Sequence, residues 1–289
     1  MTGTAAHRWR DALASWAIPD DVLAGAPESP WTFPVSLFAS RADAAPAARS
    51  VSNQRALEGL PDQGTVLDVG CGAGAASLPL VPPARHVIGV DLSREMLDAF
   101  EARARAAGAE VMSIEGSWPA VADRTPIADV VVCHHVVYNV PELEEFAARL
   151  TDHTRQRVII ELTQVHPLSN LNDLWLRFHG LRRPERPTAD DAVAVLREAG
   201  ITPTREDWIA PGGGGFATRD DLVAFVRRRL CLGPDRDQEI EAALAPRIEE
   251  REGVFGFGER PVVTLWWPGS GSSAPTAAPP RSAPQALDG

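Results

Sequence analysis

The chain has 289 residues, 44% of them hydrophobic and 23% charged, which is enough for one large globular domain with an appendage. Its formal net charge of −11 disfavours a nucleic-acid partner, because affinity for phosphates depends largely on cationic contacts. Every one of the 28 cationic residues is arginine, so chemistry that needs a Schiff-base lysine is excluded.

The cysteines and the hydropathy pattern indicate a protein of the cytoplasm. Cys71, Cys133 and Cys231 are far apart and form no CxxC pair, which disfavours a zinc site, a redox motif or a disulfide framework. The first ten residues lack an apolar run ahead of a cleavage site, and no stretch of 18 apolar residues occurs. We therefore expect a cytoplasmic protein with no membrane partner.

The first sixty residues predict an N-terminal helical cap, assigned to residues 1–60. Apolar residues spaced for one helical face predict an amphipathic helix within residues 8–22. Three prolines between positions 27 and 34 then break regular structure, and a second helix is predicted over residues 46–60.

From residue 65 onwards, short apolar runs alternate with helical patterns. Predicted strands cover residues 65–69, 86–91, 110–114, 128–133 and 157–162, and predicted helices cover residues 73–80, 93–107 and 141–151. Ser93 is the predicted N-cap of the second of these helices, and Pro141 is predicted in the first turn of the third. The alternation is typical of βαβ units, so we expect an α/β fold with a doubly wound, mostly parallel sheet and helices on both faces.

The C-terminal half is less regular. Leucines and aromatic residues at helical spacing predict a helical insertion at about residues 164–187, after the fifth strand. Further helices are predicted over residues 188–199, 218–230 and 235–248, strands within 202–209 and over 261–267, and a flexible glycine loop at 212–215. The sheet domain is assigned to residues 61–268. Residues 269–289 have almost no large apolar side chain and are predicted to be a disordered tail.

Three glycines alternate after the first predicted strand, in the segment Val66-Leu67-Asp68-Val69-Gly70-Cys71-Gly72-Ala73-Gly74. Glycine permits positive φ and lets a ligand approach the backbone closely. The predicted helix that follows would direct its free N–H groups and its positive dipole end at the same place. We therefore expect a polar or anionic ligand at the carboxyl end of the first strand.

The spacing of the glycines and two nearby carboxylates restrict the class of ligand that the loop is expected to bind. The pattern is GxGxG rather than the GxGxxG of dinucleotide sites, with alanine at position 75, which disfavours an NAD-dependent oxidoreductase. Asp68 would repel a diphosphate and attract a cation. Asp91 ends the second strand, 21 residues after Gly70, where a carboxylate can accept both ribose hydroxyls. Together these residues favour an adenosine that carries a cationic amino-acid tail.

Residues 66–74, followed by Val90-Asp91-Leu92-Ser93, resemble the class I, Rossmann-like S-adenosylmethionine-dependent methyltransferases. The resemblance extends over roughly residues 57–162 and implies a seven-stranded sheet of order 3-2-1-4-5-7-6 with the last strand antiparallel. It also implies S-adenosylmethionine as the cofactor. The cofactor-binding residues expected on this basis are Asp68, Gly70, Cys71, Gly72, Gly74, Asp91, Leu92, Met96, Gly116, Ser117, Trp118 and His134.

The segment after the third strand would flank the adenine by the same resemblance. Many members of the family carry aspartate where this chain has Ser117, which we expect to hydrogen-bond the adenine amine. Trp118 either stacks on the adenine ring or packs in the core.

The residues that follow the fourth and fifth strands are the candidate catalytic set: His134, His135, Tyr138 and Glu161. Displacement at a sulfonium methyl needs mainly proximity and alignment. If the acceptor is a hydroxyl, His134 or His135 is the candidate general base. The alternatives are a structural histidine and a salt bridge between Glu161 and an arginine. No HExxH or other ligand spacing predicts a metal site.

Two irregular aromatic segments, residues 31–38 and 166–180, either line an acceptor pocket or pack the cap onto the sheet. The acidic charge favours a small-molecule acceptor, methylated on oxygen or nitrogen. The arginine run at 227–229 and the pair at 182–183 are the candidates for a basic patch, and a solvated helix face is the simpler interpretation of both. A nucleic-acid or protein methyltransferase, and a non-catalytic module that binds S-adenosylmethionine, remain the alternatives.

Overall fold

A computed structural model of the protein describes residues 3–31, 42–43, 50–211, 214–251 and 253–271. The strands are β1 (Thr65–Val69), β2 (His86–Asp91), β3 (Glu110–Glu115), β4 (Ala128–His134), β5 (Thr154–Thr163), β6 (Thr204–Ala210), β7 (Gly214–Phe216), β8 (Ile248–Arg251), β9 (Val254–Phe257) and β10 (Arg260–Pro268). The α-helices are α1 (Ala5–Ala14), α2 (Asp20–Ala24), α3 (Val51–Leu57), α4 (Arg94–Ala106), α5 (Leu143–Asp152), α6 (Asn172–His179), α7 (Ala189–Glu198), α8 (Arg219–Arg229) and α9 (Asp237–Leu244).

Seven strands form one sheet in the order β3-β2-β1-β4-β5-β10-β6, which confirms the order that the family resemblance implied. The strands from β3 to β5 pair in parallel, whereas β10 is antiparallel to both of its neighbours, β5 and β6. The central strands are nearly continuous apolar runs because helices cover both faces of the sheet. Leu67, Val131 and Ile159 accordingly have no exposed surface.

Side chains along the central strands alternate between two hydrophobic clusters, one on each face of the sheet. Leu67 and Val131 belong to the cluster that also contains Phe146 and is covered by α1, α5 and α7. Val66 belongs to the opposite cluster, which contains Phe100 and lies beneath α3 and α4. The mostly parallel α/β fold with helices on both faces, as expected from the sequence, is confirmed.

The helix predicted over residues 73–80 is wrong. The chain after Gly74 forms turns, and only Leu78–Leu80 forms a short 3₁₀ helix. Pro79 has no backbone N–H to donate and its ring would clash with the carbonyl four residues earlier in an α-helix; two further prolines follow at 82 and 83. The glycine loop therefore receives no α-helix N-terminus, and the predicted dipole contribution to ligand binding does not hold.

Several other helices, α1, α2, α3 and α5, also start at residues different from those predicted. α1 and α2 are separate helices, and α1 packs on α7 with Trp9 donating its indole N–H to the carbonyl of Val140 at 2.8 Å. α3 begins after Ser50, which forms a capping box with Asn53. α5 begins at Leu143, so Pro141 precedes the helix rather than lying in its first turn.

A second sheet lies outside the main one, and the sequence analysis did not predict it. Its three antiparallel strands have the order β7-β9-β8. With α6, α8 and α9 they enclose a separate hydrophobic cluster, here called the outer cluster, in which Leu174, Leu222, Val226 and Ile240 are almost completely buried. β7 contains Gly214, so part of the predicted glycine loop is a strand, and residues 212–213 lie outside the described residues.

The last described residues, 269–271, follow β10 and remain hydrogen-bonded to the main sheet and the end of α5. Gly269 and Ser270 donate backbone hydrogen bonds to the carbonyls of Gln156 and Thr151 at 2.9 and 3.1 Å. The rest of the predicted tail, residues 272–289, lies outside the described residues. Within the described part of the chain, no helix has the length and apolar character needed to cross a membrane.

Candidate active site

The carboxyl ends of β1, β2, β4 and β5 meet at one edge of the main sheet, where the glycine loop (residues 70–74) follows β1. Gly70, Gly72 and Gly74 have φ angles of +73°, +49° and +100°, so all three need the conformational freedom of glycine. A Cβ added at Gly70 would overlap with Cγ2 of Val136. The glycine loop therefore lies directly against the segment that follows β4.

Asp91 ties the end of β2 to the glycine loop. Its Oδ2 accepts a hydrogen bond from the backbone N–H of Gly72 at 2.9 Å, and its Oδ1 accepts one from the N–H of Ser93 at 2.9 Å. Each carboxylate oxygen has more than one acceptor site, so both retain capacity for a ribose hydroxyl. The position fits the predicted ribose contact, and the two backbone bonds show that Asp91 also fixes the loop.

Asp68 lies fully buried near the end of β1. The hydroxyl of Ser77 donates to its Oδ2 at 2.6 Å, whereas Oδ1 is buried with no hydrogen-bond partner in the part of the chain that the structure describes. Burial raises the pKa of Asp68 to about 7; the bond from Ser77 opposes the rise and the charge of Asp91 adds to it. A cationic group placed at Oδ1 would satisfy this oxygen and favour the ionised carboxylate.

The other predicted cofactor residues surround Asp91. Leu92 is 72% exposed and leaves an apolar surface at the edge of the site. Met96 is buried in the first turn of α4. Gly116 has φ +145° and donates its N–H to the carbonyl of Asp91 at 2.9 Å, and Ser117 beside it is exposed. The two segments that follow β2 and β3 therefore lie side by side.

Trp118 packs into the core on the α5 side of the sheet. It is 8% exposed, and its indole N–H donates to the carbonyl of Phe146 at 3.3 Å. Its ring also meets His153 edge-on, with ring centroids 5.0 Å apart. These contacts favour the packing alternative for Trp118 over stacking on adenine.

Three of the four predicted catalytic residues come together at the ends of β4 and β5. The pairing of these strands places His134 opposite Glu161. Oε1 of Glu161 lies 3.0 Å from Nε2 of His135, and Oε2 lies 3.8 Å from Nδ1 of His134. His135 has φ +59°, a backbone conformation that is costly for a residue with a Cβ and is often found at functional sites. We call His134, His135 and Glu161 the Glu161 cluster.

The Glu161 cluster is mostly enclosed, with side-chain exposures of 10% for Glu161, 12% for His134 and 31% for His135. Burial by itself would raise the pKa of Glu161, but the two imidazoles lower it below its usual range, so the carboxylate is ionised. Burial lowers the pKa of His134 despite the opposing charge of Glu161, which keeps this imidazole neutral at pH 7. Nε2 of His134 is buried and has no hydrogen-bond partner among the described residues.

Sequence reasoning missed two residues that border the Glu161 cluster. The hydroxyl of Ser50, the N-cap of α3, donates to Oε2 of Glu161 at 3.4 Å. Nη2 of Arg260, the first residue of β10, lies 3.2 Å from Nε2 of His135. Ser50 has a helix-capping pattern with Asn53, which says nothing about Glu161, and Arg260 has no local motif. The position of Arg260 could have been inferred from the antiparallel strand that the family resemblance implied. The amino end of such a strand lies beside the carboxyl ends of its neighbours, so its first residue comes near Glu161.

Tyr138, the fourth predicted catalytic residue, bonds to β5 rather than to the Glu161 cluster. Its hydroxyl lies 2.6 Å from Oγ1 of Thr163, and burial raises its pKa above the usual range. His166 stacks on Trp16 with centroids 3.8 Å apart and meets the Tyr138 ring edge-on at 5.5 Å. These contacts favour a packing role for Tyr138, and its catalytic role stays a prediction.

The two segments predicted to form the acceptor pocket are only partly described. Residues 32–38 lie outside the described residues, and Trp31 is 54% exposed. In the second segment, Trp175 belongs to the outer cluster, and the guanidinium of Arg183 lies over its ring at 4.8 Å. Trp31, Trp175 and Arg183 line a shallow cleft together with Trp16. The segments therefore approach each other, and their acceptor role stays a prediction.

Neither a metal site nor an open basic patch accompanies the Glu161 cluster in the described part of the chain. No group of three histidine, cysteine, aspartate or glutamate residues there could hold a metal ion. In the arginine run, Arg227 pairs with Asp237 at 2.8 Å and with Glu28 at 3.0 Å, and Arg228 pairs with Glu28 at 3.3 Å. Arg229 is buried. The run therefore serves the fold rather than forming an exposed surface for phosphates.

Comparisons with known proteins identify methyltransferases among the proteins that this chain is similar to. Residues 66–157, which run from β1 into β5, match a family model described as a methyltransferase domain. An uncharacterized protein of Haemophilus influenzae is 26% identical over 223 residues, which cover 75% of this chain and 82% of that protein. A ubiquinone biosynthesis O-methyltransferase of Rhizobium rhizogenes is 26% identical over 180 residues, covering 55% of this chain and 71% of the relative. The crystal structure of the YcgJ protein from Bacillus subtilis is similar with a TM-score of 0.50 and 16% identity, covering 75% of this chain and 97% of that one, which shows the fold alone.

Proposed function

We propose that this class I S-adenosylmethionine-dependent methyltransferase transfers its methyl group to an oxygen or nitrogen atom of a small-molecule acceptor by direct displacement. S-Adenosylmethionine supplies a methyl group on a sulfonium centre, which is already a good leaving group. The protein therefore has to align donor and acceptor more than to activate the donor. We place the reaction in the cytoplasm, where the buried, unpaired Cys71, Cys133 and Cys231 would stay reduced.

The glycine loop and its neighbours fit S-adenosylmethionine better than a dinucleotide. The backbone N–H groups of Gly70 and Cys71 bond to the carbonyl of Val90, that of Gly72 bonds to Asp91, and that of Gly74 bonds to the carbonyl of Cys71. A diphosphate needs such groups as donors, and here the protein already uses them. The buried carboxyl of Asp68 instead lies near the end of the strand that precedes the loop, which favours a cationic group over a diphosphate.

Three side chains are proposed to hold the donor. Oδ1 of Asp68, buried and without a partner among the described residues, would accept from the α-amino group. Asp91 would accept the ribose hydroxyls through its remaining lone pairs. The exposed side chain of Leu92 would be covered by the adenine, which removes apolar surface from water.

The observation that carries the proposal is the Glu161 cluster beside the glycine loop. Val136, the next residue after the cluster's histidines, contacts Gly70, so the imidazoles lie next to the predicted donor site. Glu161 favours the tautomer of His135 that carries its proton on Nε2, which makes Nδ1 the proposed base for an acceptor hydroxyl. The ionised Glu161 would also stabilise the imidazolium that forms. The similarity to an O-methyltransferase supports oxygen as the first acceptor atom to test.

The proposal is tested with His135→Asn, His134→Asn and Glu161→Gln, and with His86→Asn as a control at a half-buried histidine at the amino end of β2. Methyl transfer from labelled S-adenosylmethionine to a panel of phenols, catechols and amines identifies an accepted substrate, and calorimetry gives the affinity for S-adenosylhomocysteine. For a hydroxyl acceptor, we expect His135→Asn to lower kcat at least ~100-fold with unchanged S-adenosylhomocysteine affinity, because loss of a positioned base costs roughly 10² to 10⁴. Glu161→Gln should shift the pH–rate profile, and His86→Asn should change neither quantity.

Undiminished turnover in both His134→Asn and His135→Asn would remove the base assignment. Binding of S-adenosylmethionine without transfer to any acceptor in the panel would support the non-catalytic alternative. Absence of binding to either cofactor form would contradict the whole proposal.

A further inference from the structure

Arg260 is an exposed arginine at the edge of the Glu161 cluster whose charge has no carboxylate partner within 4.0 Å among the described residues. Arg205, farther along the adjacent strand β6, shows the usual arrangement, since it pairs with Asp190 and Asp207. The amino end of β10 lies between β5 and β6, so Arg260 stands at the same edge of the sheet as Glu161 and the glycine loop. A cation in this place faces the space where the proposed acceptor must lie.

The contact between Arg260 and His135 does not satisfy the guanidinium. Nε2 of His135 lies 3.0 Å from the carboxylate of Glu161 and 3.2 Å from Nη2 of Arg260. A nitrogen that donates its proton to the carboxylate has no lone pair left for the arginine, and a bond to an ionised acceptor is the stronger of the two. Arg260 therefore lies next to the imidazole but does not donate a hydrogen bond to it.

We propose that Arg260 binds a carboxylate of the methyl acceptor, so that the substrates of this enzyme are hydroxy or amino acids rather than neutral alcohols or amines. This inference rests on the proposed function. The guanidinium presents paired N–H donors that match a carboxylate in two parallel hydrogen bonds. A single guanidinium beside the ionised Glu161 suits a singly charged group better than a doubly charged phosphate.

The positions of Arg260 and His135 also set the distance between the carboxylate of the acceptor and its nucleophilic atom. Arg260 lies on the Nε2 side of the His135 ring, and the proposed base atom Nδ1 lies on the other side of the same ring. An acceptor that bonds to both would have its carboxylate and its nucleophilic atom separated by about the width of an imidazole and two hydrogen bonds. Binding of the carboxylate would therefore set the position of the hydroxyl or amine relative to the base and the donor.

The test uses pairs of probes that differ only in charge. Calorimetry on the 289-residue chain saturated with S-adenosylhomocysteine measures the affinity for hydroxybenzoic, aminobenzoic and aliphatic hydroxy acids, and for the carboxamide of each. We expect at least one acid to bind ~10- to 100-fold more tightly than its amide, since a hydrogen-bonded pair with a charged group typically contributes that much. Arg260→Gln should abolish this ratio, and Arg260→Lys should restore part of it, because lysine keeps the charge but loses the paired donors.

Arg251→Gln is the matched control, because Arg251 is an exposed arginine on β8 that pairs with Glu249 at 3.0 Å. It should leave both the ratio and the affinity for S-adenosylhomocysteine unchanged, and Arg260→Gln should leave that affinity within about twofold of wild type. Failure of every acid to bind better than its amide, or an unchanged ratio in Arg260→Gln, would overturn the inference. Tighter binding of hydroxyphenyl phosphate than of the acids would overturn the assignment of a carboxylate.

The two proposals fail in different ways. The acid-to-amide ratio is a binding measurement on the protein with its product cofactor, so it does not depend on detecting methyl transfer. Binding of an acid through Arg260 without methylation of any probe would retain the inference about Arg260 and count against the proposed acceptor chemistry. Methylation of an amide as efficiently as its acid would retain the methyltransferase and remove the role of Arg260.

Discussion

Asp68 is a single buried carboxyl whose two oxygens have different surroundings. Oδ2 accepts from Ser77, whereas Oδ1 has no partner among the described residues. Burial makes the ionised form costly and raises the pKa to about 7. An acidic residue before a glycine loop can be recognised in the sequence, but its pKa depends on the helices and strands that exclude water from it.

The titration of Asp68 leads to a prediction for cofactor binding. Because the pKa in the free protein is about 7, most of the carboxyl is protonated at pH 6 and ionised at pH 8. An α-amino cation binds the ionised form, so binding releases a proton and the affinity for S-adenosylhomocysteine should rise about tenfold between pH 6 and pH 8. Calorimetry at the two pH values measures the rise. Asp68→Asn should bind more weakly and without this dependence; a wild-type affinity that stays flat would contradict the prediction.

Around the glycine loop, local sequence patterns predict the strands correctly and the helix wrongly. The strands before and after the glycine loop, β1 and β2, have the predicted bounds. The short helix predicted over residues 73–80 does not form, because Pro79 and the prolines that follow are incompatible with it. The proline signal is present in the sequence, but it opposes the strand–loop–helix arrangement that is usual in such sheets, and here the prolines decide the local structure. The loop is instead held by Asp91, Val90 and Val136.

The packing of the glycine loop on the segment after β4 predicts a stability difference between two glycines. Gly70 and Gly108 have similar positive φ angles of +73° and +87°, but an added Cβ would overlap with Val136 at Gly70 and would meet nothing within 4 Å at Gly108. Gly108→Ala should therefore lower the free energy of unfolding by about 1 kcal/mol, from the backbone alone. Gly70→Ala should lower it by about 3 kcal/mol or more.

Urea denaturation of both variants measures these changes. Gly70→Ala combined with Val136→Ala should recover part of the loss, because the second substitution removes the overlapping methyl groups. Equal losses in Gly70→Ala and Gly108→Ala would show that the loop does not pack on this segment as described.

At the scale of the whole molecule, His166 joins the N-terminal segment to the segment that follows β5. Its ring stacks on Trp16 and meets Tyr138, and Trp16 donates its indole N–H to the carbonyl of Arg186 at 2.5 Å. Burial, with the nearby charge of Arg183, lowers the pKa of His166 to about 4. The junction between the N-terminal segment, the main sheet and the segment after β5 is therefore built around a neutral histidine.

This junction should make the protein less stable in mild acid. A histidine with a pKa of about 4 when folded and 6.5 when unfolded contributes its full stability above pH 6.5 and loses it as the pH falls towards 4. Between pH 7 and pH 5 the loss due to this residue should be about 2 kcal/mol. Urea denaturation at both pH values measures the total, and His166→Gln should show a pH dependence that is smaller by this amount. An identical dependence in the two proteins would rule out the buried, neutral His166.

The sequence by itself determined the strands around the glycine loop, the loop and the two carboxylates beside it. These features depend on residues close together in the chain, namely apolar runs, turn residues and a motif of about thirty residues, so local patterns are enough to find them. The order of the seven main strands came from the family resemblance that this motif carries. The three strands of the second sheet are short and carry no such pattern, and the outer cluster that stabilises them draws on α6, α8 and α9 together.

Only the tertiary structure decided which polar groups meet. Glu161 was recognisable at a strand end, but its contacts with His135 and Ser50, and the approach of Arg260, join residues from four different elements. Burial, which lowers the pKa of His134 and leaves Oδ1 of Asp68 without a partner among the described residues, is likewise a property of the packed molecule. The physical reason is the same in each case: hydrogen bonds and exclusion of water depend on distances in space, which local sequence does not encode.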